Sequence, residues 1–214
     1  TVGPAGTQKI YDEVQKLITA SGSEKVPVLI MDTDVIQNET EEEEIVSEIK
    51  NPKTSIIIST QMIFSHRYDL KFDLIEVINT DSLISAPDFR TEEKLFYQIE
   101  KLLDLMPAVK HNQSPNIFLQ TYNPESQAIL TASNGNYEDF YEKELGIRKA
   151  FFYPPYSQLV KLTFKHKYRD KASYEARFLS EKLKMAFSQL GLNQKIKMTD
   201  SYPSFIEKER DLFA

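Results

Sequence analysis

The sequence predicts an α/β fold, a parallel sheet flanked by helices, followed by a small α+β domain. Three observations lead there. Short apolar runs at 26–31, 54–60, 72–80 and 117–121 alternate with stretches of helical periodicity. The run at 54–60 is almost uninterrupted at its centre, as expected of a strand covered on both faces. After Asn134-Gly135-Asn136 the chain turns aromatic and basic, which marks a second unit.

Each element has a local reason. Gly6-Thr7 precedes an amphipathic helix on which Ile10, Val14, Leu17 and Ile18 recur at helical spacing. The strand at 26–31 ends at Asp32-Thr33-Asp34. The acid-rich run 39–44 opens a second helix, where the positive helix start tolerates its carboxylates, and Asn51-Pro52 closes it. Strands at 54–60 and 72–80 precede a helix at 90–105, a strand at 117–121 and a short helix at 124–130. A further helix is predicted at 137–149, and Tyr153-Pro154-Pro155-Tyr156 forms a rigid turn. A strand at 158–164, a long helix at 171–190 ended by Gly191 and a strand at 195–198 complete the pattern, with one more strand expected after Phe205. The expected division is therefore residues 1–147 and residues 148–214, the second a small basic α+β domain for which both a complete and a truncated form stay open.

Composition narrows the function classes. The chain has 214 residues, no cysteine and three dispersed histidines, so disulfides, thiolate sites and a zinc cage are not expected. It contains no apolar run long enough to span a bilayer and begins without a signal-peptide pattern; a soluble, cytoplasmic protein with no membrane partner is expected. The net charge of −6 conceals an asymmetry. Residues 148–214 carry 14 Lys and Arg against 7 Asp and Glu, whereas the rest carries 12 against 25. The basic domain is the better candidate for a polyanionic partner.

Within it, Lys161, Lys165, His166, Lys167, Arg169 and Lys171 lie along the strand at 158–164 and its exit. Alternation puts Lys161 and Lys165 on one strand face, and Tyr168 adds a stacking surface. Contacts of this kind to phosphate are sequence-blind and salt-sensitive. The competing reading is a solvated edge that lysines protect against pairing. Asp32 and Asp34 resemble a metal pair, but residues two apart at a strand end more often cap a turn.

Thr60-Gln61-Met62, Asp81-Ser82, Pro87-Asp88-Phe89-Arg90, Glu93, Gln120-Thr121-Tyr122-Asn123-Pro124, Phe140-Tyr141, Glu144-Leu145, Arg148 and Tyr153-Pro154-Pro155-Tyr156 occur in an order and spacing that resemble the C-terminal half of the PriA family of primosomal helicases, primosomal protein N-prime. Gly6-Thr7-Gln8 and Asp32-Thr33-Asp34 match the same family. The resemblance implies a second RecA-like helicase lobe, then a C-terminal domain, from proteins that bind branched DNA, hydrolyse ATP and restart replication. It implies branched or single-stranded DNA, single-strand-binding protein and primosome proteins as partners. It also places Thr60 and Gln61 at a nucleic-acid phosphate, the alternative being that Thr60 caps the next turn. With Lys161, Lys165, Lys167 and Arg169 these are the expected DNA-binding residues.

The chain departs from the family where phosphate chemistry would sit. Ser59 replaces a glycine, Ser65-His66 a Lys-Gly pair, and residues 101–108 a Gln-Val-Ala-Gly-Arg-Ala-Gly-Arg motif, with Leu105 and Ala108 in place of both arginines. An arginine finger contributes about 10³ to 10⁵ in turnover, and an apolar side chain cannot replace it. Arg67, Arg90 and Lys110 are the nearest cations in sequence. The family uses ATP, magnesium and structural zinc; for this chain no cofactor, no metal and no catalytic residue is expected. The expected function is a DNA-binding or primosome-assembly module with lost ATPase motifs. The alternatives are a part of an active helicase whose first lobe lies elsewhere, and a protein-only scaffold.

Overall fold

The computed structural model describes residues 6–22, 26–36, 38–51, 55–65, 69–83, 88–107, 116–203, 208–209 and 212–213. The fold is α/β: α1 (Thr7–Ala20), β1 (Val28–Met31), α2 (Glu39–Ile49), β2 (Ile56–Ser59), β3 (Ile75–Val77), α3 (Thr91–Asp104), β4 (Ile117–Leu119), α4 (Gln127–Ser133), α5 (Tyr137–Phe151), α6 (Arg169–Gln189), β5 (Lys208–Glu209) and β6 (Leu212–Phe213). The chain divides into two compact units, residues 1–85 with 90–141, and residues 86–89 with 142–214.

In the first unit β1 pairs with β2 in parallel, Val28 opposite Ile56 through Met31 opposite Ser59. β3 pairs with β4 in parallel, Ile75 opposite Ile117 through Val77 opposite Leu119. Parallel neighbours need a crossover, and a helix stands between the strands of each pair in sequence. Met31, Ile36, Val46 and Leu70 are buried around the first pair. Leu95, Phe96, Ile99, Ala128, Ala132 and Phe140 form a second core, in which the Phe96 and Phe140 rings stack at 4.3 Å.

The helix ends follow capping chemistry. Asn38 accepts the Glu41 N–H at 3.0 Å and acids fill the first turn of α2. The start of α4 is capped from a distance: the Glu92 carboxylate accepts the Ser126 hydroxyl at 2.8 Å and the Ala128 N–H at 3.0 Å. That contact, with Pro124 left in the preceding turn, moves the helix from the expected 124–130 to Gln127–Ser133. At its other end Gly135 has φ +62, the Gly135 N–H bonds Ala132 O and the Asn136 N–H bonds Thr131 O, both at 3.0 Å.

In the second unit Arg148 is the hub. Its Nε–H donates to Glu144 Oε1 at 2.8 Å, Nη1 reaches Pro154 O at 3.5 Å, and the guanidinium lies 5.2 Å from the Phe89 ring centre. Phe89 in turn stacks on Tyr153 at 5.3 Å. β5 and β6 form a short antiparallel pair, so strand structure does follow Phe205. The strands expected at 158–164 and 195–198 are not strands; both segments are irregular. Alternation supplied the pattern, but a strand also needs a ladder partner, and exposed Leu159, Val160 and Leu162 bury no common face.

Leu95 is fully buried at the centre of the second core. Leu95→Ala is expected to lower unfolding free energy by about 2–5 kcal/mol, read from urea denaturation at unchanged m-value.

Candidate nucleic-acid interface

The carboxyl end of the β1–β2 pair brings together three of the segments that carry the family resemblance. Buried Asp32 accepts the Thr7 hydroxyl at 2.7 Å and the Asp34 N–H at 3.2 Å, so Gly6-Thr7 and Asp32-Thr33-Asp34 are physically joined. That is a turn-closing role. Among the described residues no group of three His, Cys, Asp or Glu side chains could hold a metal ion. On β2, the Ser59 hydroxyl donates to Met31 O at 2.8 Å and the Thr60 N–H to the same oxygen at 3.3 Å. The side chain present where the family has glycine therefore fastens the two strand ends.

Thr60 and Gln61 follow, both exposed. Thr60 is extended and precedes a 3-10 turn over Gln61–Phe64, but its side chain makes no cap hydrogen bond to that turn. The hydroxyl and the Gln61 amide thus remain available at a strand end. Ligands of open parallel sheets bind at such ends.

The described part of the stretch where the resemblance implies arginines, residues 101–107, lies at the end of α3. Leu102 and Met106 are buried, Lys71 Nζ donates to Asp104 O at 2.6 Å, and the Phe72 N–H donates to Leu105 O at 2.9 Å. The helix terminus is closed by a lysine and a backbone amide. Lys101 Nζ lies 4.6 Å from the Tyr97 ring centre and 5.5 Å from that of Phe64. Of the three cations nearest in sequence, Arg67 and Lys110 lie outside the described residues. Arg90 precedes the opposite end of α3. Fourteen helical residues lie between it and Leu105, about 21 Å at 1.5 Å each.

Sequence reasoning missed a third constellation. The Asp81 carboxylate accepts the Tyr122 N–H at 2.9 Å and the Thr121 hydroxyl at 2.8 Å, tying the exit of β3 to that of β4. The Tyr122 N–H first, and the Thr121 hydroxyl with it, hold the Asp81 carboxyl below its usual range. Both partners lie in quoted motifs; what the sequence lacked was the pairing of β3 with β4, which brings residues forty apart into contact.

In the second unit Lys161, Lys165, Lys167 and Arg169 are exposed. Because 158–164 is irregular, Lys161 and Lys165 share no strand face; exposure runs along the segment on every side. Arg169 is the first residue of α6, preceded by Tyr168. The Tyr168 N–H donates to His166 Nδ1 at 2.9 Å, the two rings lie 5.7 Å apart, and Lys171 Nζ sits 5.6 Å from the Tyr168 ring centre. Cations and two aromatic rings meet where the segment enters the helix. Among the described residues no helix is long and apolar enough to cross a membrane.

The lobe is α/β, with Thr7, Asp32 and Thr60 at the carboxyl end of a parallel pair. No family model matches the chain. Curated relatives do, replication restart proteins PriA among them: that of Bacillus subtilis is 29% identical over 179 residues, covering 84% of this chain and 21% of the relative. That of Treponema pallidum is 28% identical over 88% of this chain and 27% of its own length. That of Chlamydia muridarum is 26% identical over 98% and 26%. The likeness to PriA that the motifs imply therefore holds along the chain, in a diverged form. The chain spans about a quarter of the length of these relatives.

Folding linkage follows from Asp81. Its folded value is depressed, so the stabilisation is present above the ordinary value of 3.8 and is lost as pH falls through the lowered folded value. Protection of the Tyr122 amide from hydrogen exchange should fall over that acid range, and Asp81→Asn should remove the pH dependence.

Proposed function

We propose that this chain acts as a DNA-binding or primosome-assembly module of a PriA-like replication-restart protein and does not itself hydrolyse ATP. The relatives are replication restart proteins, which is the basis for the process. In this reading residues 148–214 are a basic domain that meets phosphate through Lys161, Lys165, Lys167 and Arg169, while Thr60 and Gln61 contact the nucleic-acid backbone from the lobe. Branched or single-stranded DNA is the ligand; single-strand-binding protein and primosome proteins are the further partners; the cytoplasm is the setting.

The observation that carries the non-catalytic part is the end of α3. Transferring a phosphoryl group depends on charge stabilisation, with an arginine finger worth about 10³ to 10⁵. Leu102 and Met106 are instead turned into the core, and the terminal carbonyls of Asp104 and Leu105 are already taken by Lys71 and Phe72. A helix terminus used in this way offers hydrocarbon and closed backbone. The alternative, an active helicase with charge supplied from elsewhere, has Lys71 and Lys101 as the cations at this stretch among the described residues. Lys71 is engaged by a carbonyl and Lys101 lies over two rings.

The chain alone should show no ATP hydrolysis above background, with or without fork DNA. DNA-stimulated turnover that disappears in Lys101→Ala would establish the enzyme instead. In fluorescence anisotropy, fork and single-stranded DNA should bind and weaken steeply with salt. Changing Lys161, Lys165 and Lys167 together to Ala should flatten the slope of log K against log salt by about 2 to 3, since each phosphate contact contributes about 0.7 to 0.9. No binding at any salt would leave a protein-only scaffold.

A further inference from the structure

The motif at 120–123 has no part in the function proposed above, yet its loop is held by a series of hydrogen bonds. β4 ends at Leu119, but the ladder goes on: the Gln120 N–H donates to Val77 O at 3.0 Å and the Thr80 N–H to Gln120 O at 2.8 Å. Asp81 then holds Thr121 and Tyr122 as described. The Thr121 Oγ1 accepts the Asn123 N–H at 2.9 Å, and the Ser126 N–H donates to Asn123 O at 3.1 Å. Ser126 is anchored in turn by Glu92. Backbone conformation is therefore fixed on both sides of Tyr122.

The side chains at the tip are free. Tyr122 is 98% exposed, so both faces of its ring meet solvent. Gln120 and Asn123 flank it, also exposed, and their amide side chains make no hydrogen bond to the described protein. A single exposed aromatic is ordinary on a protein surface. A rigid loop that presents an open ring between two unused amides is a different matter, because binding to it requires little further ordering.

The ligand class follows from the groups available. An open π-face takes a planar π-partner; neighbouring amides can donate to and accept from its edge, as Gln and Asn do with bases. No cation lies in 120–123, and Asp81 adjoins the loop, so the site suits a base and not a phosphate. Duplex bases are already stacked, whereas single-stranded bases are free to splay onto a ring. The loop sits at the carboxyl end of a parallel pair, where open α/β sheets take ligands.

We propose that Tyr122, flanked by Gln120 and Asn123, stacks on a nucleobase of single-stranded DNA, with Asp81 positioning the loop. This rests on the DNA-binding function proposed above and adds to it a contact that reads strandedness.

The chain has no tryptophan, so Tyr122→Trp supplies a sole indole at the site. Its emission should be quenched by a 15-nucleotide oligo-dT and not by a blunt duplex of equal length. Tyr122→Ala should weaken oligo-dT binding about 5- to 100-fold while leaving the salt slope unchanged, because stacking releases no counterions. An indole left unquenched overturns the site, whether the oligonucleotide binds elsewhere on the chain or does not bind at all. Equal quenching by the duplex, or a flattened salt slope in Tyr122→Ala, overturns it as well. The basic segment fails by a different result, a triple lysine variant that keeps both affinity and slope.

Discussion

Parallel strand pairs this short depend on having their carboxyl ends tied off by side chains. An antiparallel hairpin closes itself with its turn, whereas a parallel pair leaves two chains running outward from one end. Two aspartates do the closing in the first unit. Asp32 binds the start of α1 and the turn after β1, and Asp81 binds the exit of β4. Thr60, Gln61 and Tyr122 all hang from these ends. The surface at these ends is thus as well defined as the carboxylates beneath it.

Most helices were legible in the sequence because their apolar residues repeat at 3.6 and their caps are local. α2 with Asn38 and the acidic first turn, and α6 ended by Gly191 at φ +66, are such cases. The parallel pairs were legible as a class, since strand and helix alternate. What could not be read was anything set by a partner distant in the chain. The segment at 158–164 has a strand's alternation and no ladder; α4 starts late because Glu92, far from it in sequence, caps it.

The same distinction governs the site. Thr60 and Gln61 could be located from a motif, and the exposure of Lys161, Lys165, Lys167 and Arg169 from their charge. Their shared face could not, because it depended on a strand that does not form. The Asp81 link to Thr121 and Tyr122 joins two motifs that the sequence displays separately. At the end of α3 the sequence displays apolar residues where the resemblance implies arginines, and the structure adds their described surroundings: buried Met106 and a lysine on a backbone oxygen.

The second unit takes Phe89 from a stretch that precedes α3, more than fifty residues before the rest of that unit begins, and seats its ring on Arg148 and Tyr153. It is consequently discontinuous in the gene. Severing the polypeptide just ahead of residue 142 would free a C-terminal piece with a guanidinium and a tyrosine ring facing water, so recombination or modular transfer at that point would not inherit an intact folding unit.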